Sequence, residues 1–285
     1  MLSIRLAKHI GLCTGVRRAV DIAEETLSKC KSKVYSLGPI IHNPEVIKQL
    51  QEKGLRIANN LAEIESNSCV ILPSHGSPHY IFDIIKKKKL KYIDVTCPYV
   101  SSVHKICRSL YKQGFKIVII GDRKHPEIRA IMDFAPGAYV ICKIEDVPEG
   151  KFSHNKIGII SQTTQSRDVF LEIVSCILRK NPLVKEVCVF NTICLDTAAR
   201  QEEVKKLAQD VDTLLVIGSH LSANTKRLLS IGSKINRRTY LVESKDTPLS
   251  KILKNAKIVG LISGASAPDW LAKEISNAVK KIKNK

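Results

Sequence analysis

Ile93-Asp-Val-Thr-Cys-Pro98 is one of three segments in which an apolar, strand-like run ends at a cysteine and a helical pattern begins just after it. The other two are Ile10-Gly-Leu-Cys-Thr-Gly-Val16 and Phe190-Asn-Thr-Ile-Cys-Leu195. The cysteines lie at similar intervals, so each third of the chain delivers one thiol to the end of a strand. A cysteine at a helix start lies near the positive end of the peptide dipoles, which favour the metal-binding thiolate. Three such thiolates that meet at one point would hold a soft metal centre and leave one position free.

Short apolar runs alternate with helical patterns along the whole chain. The runs Val34-Tyr-Ser-Leu37, Cys69-Val-Ile-Leu72 and Lys116-Ile-Val-Ile-Ile120 are examples, and each is followed by a polar loop and a further helical pattern. This alternation is typical of parallel sheets with crossover helices, which bind ligands at the carboxyl ends of their strands. The sequence therefore predicts an α/β protein of three small units with parallel sheets, related by pseudo-threefold symmetry around one central site.

The boundaries of these units are predicted from the cysteine positions, because no linker rich in Pro, Gly or Ser separates them. We predict units at 14–97, 98–194 and 195–285, with residues 1–13 joining the third. A chain of 285 residues is long enough for three small units that share a core.

Composition restricts the location of the protein. No run approaches the roughly 18 apolar residues of a membrane-spanning helix, and the first residues lack the apolar core of a secretory signal. Nine cysteines are an odd number for a disulfide framework, and a reducing cytosol fits them better. We therefore predict a cytoplasmic protein that does not associate with membranes.

The formal net charge of +19 points to an anionic partner: nucleic acid, an anionic small substrate or an acidic protein. Aromatic residues make up only 5 % of the chain, which leaves few platforms on which single strands could stack. Apart from Lys86–Lys89 and the C-terminal tail, the lysines are dispersed along helical patterns, as on solvated faces. We predict no nucleic-acid partner, and a basic nucleic-acid-binding protein remains the non-enzyme alternative.

The three single cysteines, Cys13, Cys97 and Cys194, bear on the identity of the metal. Zinc sites usually pair their ligands at short spacing such as C-x-x-C, and none of the three has such a neighbour. Distant single cysteines suit an iron–sulfur cluster in which one iron has no cysteine ligand. Spacing alone leaves open a second interpretation, three unrelated buried thiols. Other cysteines lie in apolar patterns and are predicted to be small buried hydrophobes: Cys69, Cys107, Cys142, Cys176 and Cys188.

The flanking motifs favour the cluster, because nine of them occur in the order found in one enzyme family. They are Gly11-Leu-Cys-Thr-Gly-Val-Arg-Arg-Ala19, Gly38-Pro-Ile-Ile-His-Asn43, Ser74-His-Gly76, Asp94-Val-Thr-Cys-Pro98, His125-Pro-Glu127, Ser161-Gln-Thr-Thr164, Asn191-Thr-Ile-Cys194, Arg200-Gln201 and Ser263-Gly-Ala-Ser-Ala-Pro-Asp269. They cover nearly the whole chain, which thus resembles the 4-hydroxy-3-methylbut-2-enyl diphosphate reductase family. That family performs the last step of the non-mevalonate (methylerythritol phosphate) isoprenoid pathway.

The resemblance implies a reaction and a cofactor. The family removes the hydroxyl of an allylic diphosphate reductively, with two electrons and two protons, to give isopentenyl diphosphate and dimethylallyl diphosphate. It implies that Cys13, Cys97 and Cys194 ligate one [4Fe-4S] cluster per subunit, whose fourth iron is open to the substrate hydroxyl. Iron then acts as a Lewis acid and the cluster supplies electrons. The family fold is a trefoil of three α/β units.

Two residues correspond to the family's proton-delivery machinery. Glu127 matches the proton source, and an acid is required because hydroxide leaves poorly unless it is protonated. Thr163 matches the threonine that hydrogen-bonds near the substrate hydroxyl, with Thr164 as the second candidate. Without the resemblance, Glu127 would be read as a dipole-stabilising surface residue and Thr163 as a helix cap.

A diphosphate needs many hydrogen-bond donors, because a multiply charged anion cannot be enclosed without them. The matching positions are His42, His75, His125, Ser222, Asn224 and Ser266, aided by helix N-termini. Within this set of loops, Ala223 departs from the family, since it stands where a serine is common. Five histidines match no motif and are predicted to be solvent-facing or structural: His9, His79, His104, His154 and His220.

Quinolinate synthase is the alternative enzyme. It also gathers three distant cysteines from three α/β units around one open-site cluster. It lacks the His-Pro-Glu and Ser-Gly-Ala-Ser-Ala-Pro motifs, which favours the reductase family.

We expect the positive charge of the chain to guide an acidic electron donor, ferredoxin or flavodoxin, to the cluster. The rate of reduction by such a donor should fall as ionic strength rises, because salt screens the attraction between the two proteins. Stopped-flow measurement of electron transfer at low and high salt tests this, with a small uncharged reductant as control. A rate independent of ionic strength would contradict the hypothesis.

Overall fold

The computed structural model describes residues 2–153 and 155–282. The chain divides into two compact units. The first unit consists of Met1–Arg17, Ile41–Lys48 and Leu195–Lys285, and the second of Arg18–Ile40 and Gln49–Cys194. The second unit contains two of the three sheets described below, so the predicted boundaries of three units stay a prediction.

Strands and helices alternate through the described ranges. The strands are β1 (Ser3–Leu6), β2 (Val34–Leu37), β3 (Leu55–Ala58), β4 (Cys69–Leu72), β5 (Lys91–Asp94), β6 (Lys116–Ile120), β7 (Tyr139–Ile141), β8 (Lys156–Ser161), β9 (Glu186–Val189), β10 (Thr213–Ile217), β11 (Thr239–Val242) and β12 (Ile258–Ser263). The helices are α1 (Thr14–Lys29), α2 (Pro44–Glu52), α3 (His79–Lys87), α4 (Pro98–Lys112), α5 (Pro126–Asp133), α6 (Arg167–Lys180), α7 (Leu195–Gln209), α8 (Ala223–Ile235), α9 (Leu249–Ile252) and α10 (Asp269–Ile282). Short 3₁₀ helices lie at Leu61–Glu63 and Ile144–Asp146.

The strands form three four-stranded sheets with one strand order. The orders are β3-β2-β4-β5, β7-β6-β8-β9 and β11-β10-β12-β1. Every strand pair is parallel, and the N-terminal strand β1 completes the last sheet by pairing with β12. The predicted fold class, three α/β units with parallel sheets, is confirmed.

Burial explains why the inner strands read as continuous apolar runs. Every residue of β4 and of β10 is buried, since helices cover both faces of a parallel sheet. The edge strands β1, β5 and β9 contain no buried residue among those described. The loops that contain Cys13, Cys97 and Cys194 therefore each follow an edge strand. That edge strand pairs with a strand whose residues are all or mostly buried.

Three features depart from the sequence pattern. Strand β3 pairs with β2 between Gly54 and Cys69, where the sequence shows no clear apolar run. It has only four residues, and the exposed Arg56 interrupts its apolar pattern, so no periodicity stands out. Cys142 is exposed rather than buried, because it follows the short edge strand β7. Cys188, on the edge strand β9, is only partly buried.

The histidines without a motif are surface or packing residues where the structure describes them. His9 and His220 are exposed beside Glu203 and Glu243. His79 is also exposed. His104 packs on Phe134 with ring centroids 4.7 Å apart, and burial lowers its pKa to about 4. His154 lies outside the described residues. Within the described ranges, no helix has the length and apolar composition needed to cross a membrane.

Gly264, directly after β12, packs closely against the start of α8. A methyl group there would lie 2.0 Å from Thr225 Oγ1 and 3.1 Å from Thr225 Cβ. We expect Gly264→Ala to lower the free energy of unfolding by about 2 kcal/mol, because overpacking forces the buried helix start to shift. Urea unfolding measures the loss, and Thr225→Ala in the same background should restore part of it. A Gly264→Ala chain as stable as wild type would contradict this packing.

Candidate active site

The three predicted cysteine ligands share one backbone interaction. The N–H of each cysteine donates to a carbonyl two residues past the end of the neighbouring strand. These hydrogen bonds are Cys13 to Ala265 after β12, Cys97 to Ser74 after β4, and Cys194 to Thr163 after β8, all 2.9 Å long. A hydrogen bond to the loop after the neighbouring strand therefore fixes the backbone of Cys13, Cys97 and Cys194 in the same way.

Each cysteine also precedes a helix directly. Helices α1, α4 and α7 begin at Thr14, Pro98 and Leu195. The Val16 N–H lies 3.4 Å from Cys13 Sγ, as in a helix cap. All three thiols are partly exposed. Soft sulfur donors near helix N-termini fit the ligands of an iron–sulfur cluster.

Among the described residues, no group of three His, Cys, Asp or Glu side chains is close enough to hold a metal ion. Cys13 belongs to the first unit, and Cys97 and Cys194 belong to the second. Joint ligation by the three thiols thus stays a prediction.

Glu127 and Thr163 are in direct contact in the second unit. Helix α5 begins at Pro126, and His125 caps it by accepting the Glu127 N–H at 3.2 Å. Thr163 donates its backbone N–H to Glu127 Oε1 and its hydroxyl to Oε2, both at 2.7 Å. The Glu127 side chain is therefore held through both carboxyl oxygens by one residue.

Burial gives Glu127 an unusual acidity. The residue is 2 % exposed, and loss of hydration raises its pKa to about 7, although the two hydrogen bonds from Thr163 oppose the shift. A carboxyl group with this pKa carries a proton in a large fraction of molecules at neutral pH. Such a group can act as a general acid.

Gln162, in the Ser161-Gln-Thr-Thr164 motif, connects two loops of the second unit. Its side-chain oxygen accepts the Asp122 N–H at 3.0 Å, and its amide donates to Thr164 Oγ1 at 2.8 Å. Gln162 thereby ties the loop after β6 to the loop after β8. Since Thr164 is engaged by Gln162, the geometry favours Thr163 over Thr164 as the partner of Glu127.

His75 lies in the loop after β4, in the second unit. A cavity of about 350 Å³ is lined by residues that include His75, Pro126 and Arg129. His75 therefore lines the same cavity as the start of α5, the helix that carries Glu127.

The remaining predicted diphosphate ligands lie in the first unit. Ser266 Oγ donates to the His42 carbonyl at 3.3 Å. Burial lowers the pKa of His42, and the positive charge of Lys226 lowers it further, so the ring is neutral near pH 7. Ser222 caps α8 by accepting the Thr225 N–H at 3.3 Å.

Asn224 has the signature of a ligand-binding residue. Its side chain is 3 % exposed, and within the described part of the chain neither its amide nitrogen nor its oxygen has a hydrogen-bond partner. A buried polar group without a partner costs about 1–3 kcal/mol. A phosphate oxygen that accepts from the amide would remove part of this cost, which fits an anionic ligand.

Comparison with known proteins identifies the family. The LytB protein family matches residues 4–280. The chain belongs to the LytB family. A relative from Aquifex aeolicus, named 4-hydroxy-3-methylbut-2-enyl diphosphate reductase, is 39 % identical over 99 % of this chain and 97 % of its own length. A relative of the same name from Clostridioides difficile is 35 % identical over 96 % of this chain and 98 % of its own length.

Solved structures of LytB enzymes agree with the fold. A structure described as (E)-4-hydroxy-3-methyl-but-2-enyl diphosphate reductase, the terminal enzyme of the non-mevalonate pathway, is 38 % identical with a TM-score of 0.72. It covers 99 % of this chain and 100 % of its own. The Plasmodium falciparum enzyme is 31 % identical with a TM-score of 0.92, and the match covers 97 % and 87 % of the two chains.

These findings confirm the predicted family and, with it, the predicted enzyme class, an iron–sulfur oxidoreductase. The alternatives, an enzyme of the quinolinate synthase type and a basic nucleic-acid-binding protein, gain no support from them.

The raised pKa of Glu127 makes stability depend on pH. In the folded chain the pKa of Glu127 is about 7, against an ordinary value of 4.5. The stability that the protonated carboxyl group contributes is therefore lost as pH rises through this interval. Glu127→Gln removes the penalty of ionising a buried group. We expect the variant to gain about 3 kcal/mol over wild type between about pH 5 and pH 8, measured by urea unfolding. A difference that does not change with pH would contradict the shifted pKa.

Proposed function

We propose that this chain reduces (E)-4-hydroxy-3-methylbut-2-enyl diphosphate to isopentenyl diphosphate and dimethylallyl diphosphate. Full-length similarity to relatives named for this substrate supports the proposal. The structural observation that carries it is the buried carboxyl of Glu127, which Thr163 contacts through both oxygens. Removal of a hydroxyl group needs an acid of this kind.

The proposal assigns Cys13, Cys97 and Cys194 as ligands of one [4Fe-4S] cluster whose fourth iron has no cysteine ligand. When bound, the cluster supplies electrons and a Lewis-acidic iron. The assignment is supported by the shared setting of the three cysteines, each anchored by its N–H and placed before a helix. A thiolate at such a position is favoured by the helix dipole.

Glu127 and Thr163 together would deliver a proton to the leaving hydroxyl. A hydroxyl group can both donate and accept, so the 2.7 Å contact between Thr163 Oγ1 and Glu127 Oε2 serves two protonation states. When Glu127 is ionised, Thr163 donates to it. When Glu127 is protonated, Oε2 can donate to Oγ1, and the threonine hydrogen is then available to another acceptor. The pair can thus relay a proton without any movement of the backbone.

The diphosphate is assigned to His42, His75, His125, Ser222, Asn224 and Ser266. The buried, unpartnered amide of Asn224 supports this, as does the cap position of Ser222 at the start of α8. Ala223, which replaces a common serine, is the first residue of α8, so backbone N–H groups of the first turn remain as donors there. The missing hydroxyl therefore leaves the site able to bind an anion.

The electron donor belongs to the proposal as well. We assign this role to an acidic ferredoxin or flavodoxin, on the basis of the charge of +19. The cytoplasmic location predicted from the sequence stays a prediction.

Anaerobic turnover of the allylic diphosphate with a low-potential reductant tests the function. At matched iron content, Glu127→Gln should lower turnover by about 100-fold or more, because an amide cannot supply the proton. Turnover by wild type should decline as pH rises above about 7, where Glu127 is ionised. Glu172→Gln, an exposed glutamate of α6, is the matched control.

Unimpaired turnover in Glu127→Gln would move the acid to another residue. No turnover in wild type, with iron present, would overturn the assignment of the substrate.

A further inference from the structure

The loop at residues 7–13, which joins β1 to α1 and ends at Cys13, is held by contacts from α7. The carboxylate of Glu203 accepts the backbone N–H groups of Lys8 and His9. A second α7 residue, Arg200, donates hydrogen bonds to backbone carbonyl groups of the same loop. Arg200 belongs to the Arg200-Gln201 motif.

Arg200 is 2 % exposed and saturates its hydrogen-bond donors within the first unit. Its guanidinium donates to the carbonyls of His9 and Gly11 at 2.9 and 3.1 Å. It also donates to the carbonyl and hydroxyl of Ser263 at 2.8 and 3.2 Å. Asp196, one turn earlier in α7, balances the charge at 2.8 and 3.3 Å. One buried side chain thus joins α7, the end of β12 and the Cys13 loop.

Gly11 is the point at which these contacts converge. Its N–H donates to Ser263 Oγ at 2.8 Å, and its carbonyl accepts from Arg200. Its φ of +89° favours glycine, and a Cβ would lie 1.8 Å from Asp269 Oδ1. The backbone two residues before Cys13 is therefore fixed on both sides of the Gly11 Cα, through two successive peptide units.

We propose that Arg200 is a positioning residue that holds the Cys13 loop in the conformation required for cluster binding. The inference rests on the proposed function, since it takes Cys13 as a cluster ligand. Arginine suits the task because it presents five N–H donors in one plane, whereas lysine presents three donors at one point. Mutation of residues that orient a metal ligand without contacting the metal commonly lowers metal affinity by about 10- to 100-fold.

The test compares full-length chains purified anaerobically with their iron: wild type, Arg200→Met, Arg200→Lys and Arg238→Met. Arg238 is the matched control, because it also donates to two backbone carbonyls of the first unit. Its acceptors, Ile252 and Lys254 at 3.1 and 2.8 Å, lie outside the Cys13 loop. Three readouts are taken: iron loss to a chelator, hydrogen–deuterium exchange by peptide, and the thermal unfolding midpoint.

Arg200→Met should lose iron about 10- to 100-fold faster than wild type, with faster exchange confined to the peptide that contains residues 7–13. Arg200→Lys should fall between the two, because it keeps the charge beside Asp196 but has fewer donors. Arg238→Met should retain iron like wild type, whatever its unfolding midpoint. If Arg200→Met does not fold, Ser263→Ala removes only the hydroxyl contacts and should accelerate iron loss by a smaller factor.

Iron retention equal to that of Arg238→Met at a matched unfolding midpoint would overturn the proposal. Exchange that rises equally across the first unit would also overturn it, because that result describes a purely structural role. Failure of the cluster assignment in the proposed function gives a different result: a Cys13→Ser chain, purified anaerobically in the same way, would then keep its full iron content. In that case the cluster-binding role of the loop is lost, while the exchange data still show whether Arg200 holds it.

Discussion

The hydrogen bond from each cysteine N–H to the carbonyl beyond the neighbouring strand is the constraint on which the candidate site depends. That carbonyl is placed by β4, β8 or β12, strands whose residues are almost all buried under helices. The position of each thiol is therefore set by the packing of a sheet and not by a local metal-binding motif. This explains how ligands without a close partner in sequence can be held in reproducible backbone settings.

Thr163 extends the same constraint to the acid group. Its carbonyl accepts from Cys194, while its N–H and hydroxyl donate to Glu127. One residue thus fixes both a thiol-bearing loop and a carboxyl group that burial has brought to a pKa of about 7. The buried carboxyl costs stability at neutral pH, as groups retained for chemistry often do.

Sequence patterns predicted much of the fold, because inner parallel strands are continuous apolar runs. Val34–Leu37, Cys69–Leu72 and Lys116–Ile120 are found with the predicted bounds. The short edge strand β3 escaped prediction, since four residues with an exposed arginine carry little periodicity. Glu127 and Thr163 were found through family resemblance, as their residue types alone indicate a surface acid and a helix cap. Arg200 could not be found from spacing, because its carbonyl partners His9, Gly11 and Ser263 are distant in sequence.

The buried polar groups differ in whether their hydrogen-bond partners lie within the chain. This difference distinguishes residues that hold the backbone from residues that can bind a ligand or exchange a proton. Arg200 has acceptors for its donors within the chain, so it needs no ligand and can serve only to hold the backbone around it. The side-chain amide of Asn224 has no hydrogen-bond partner among the described residues, which destabilises the folded state. A ligand that supplies a partner removes this destabilisation and thereby binds more tightly. Glu127 is intermediate: among the described residues its carboxyl group accepts two hydrogen bonds from Thr163, and desolvation outweighs those two bonds. A group in that balance can exchange a proton near neutral pH, whereas the guanidinium of Arg200 is engaged by Asp196 and by backbone carbonyls of its own unit.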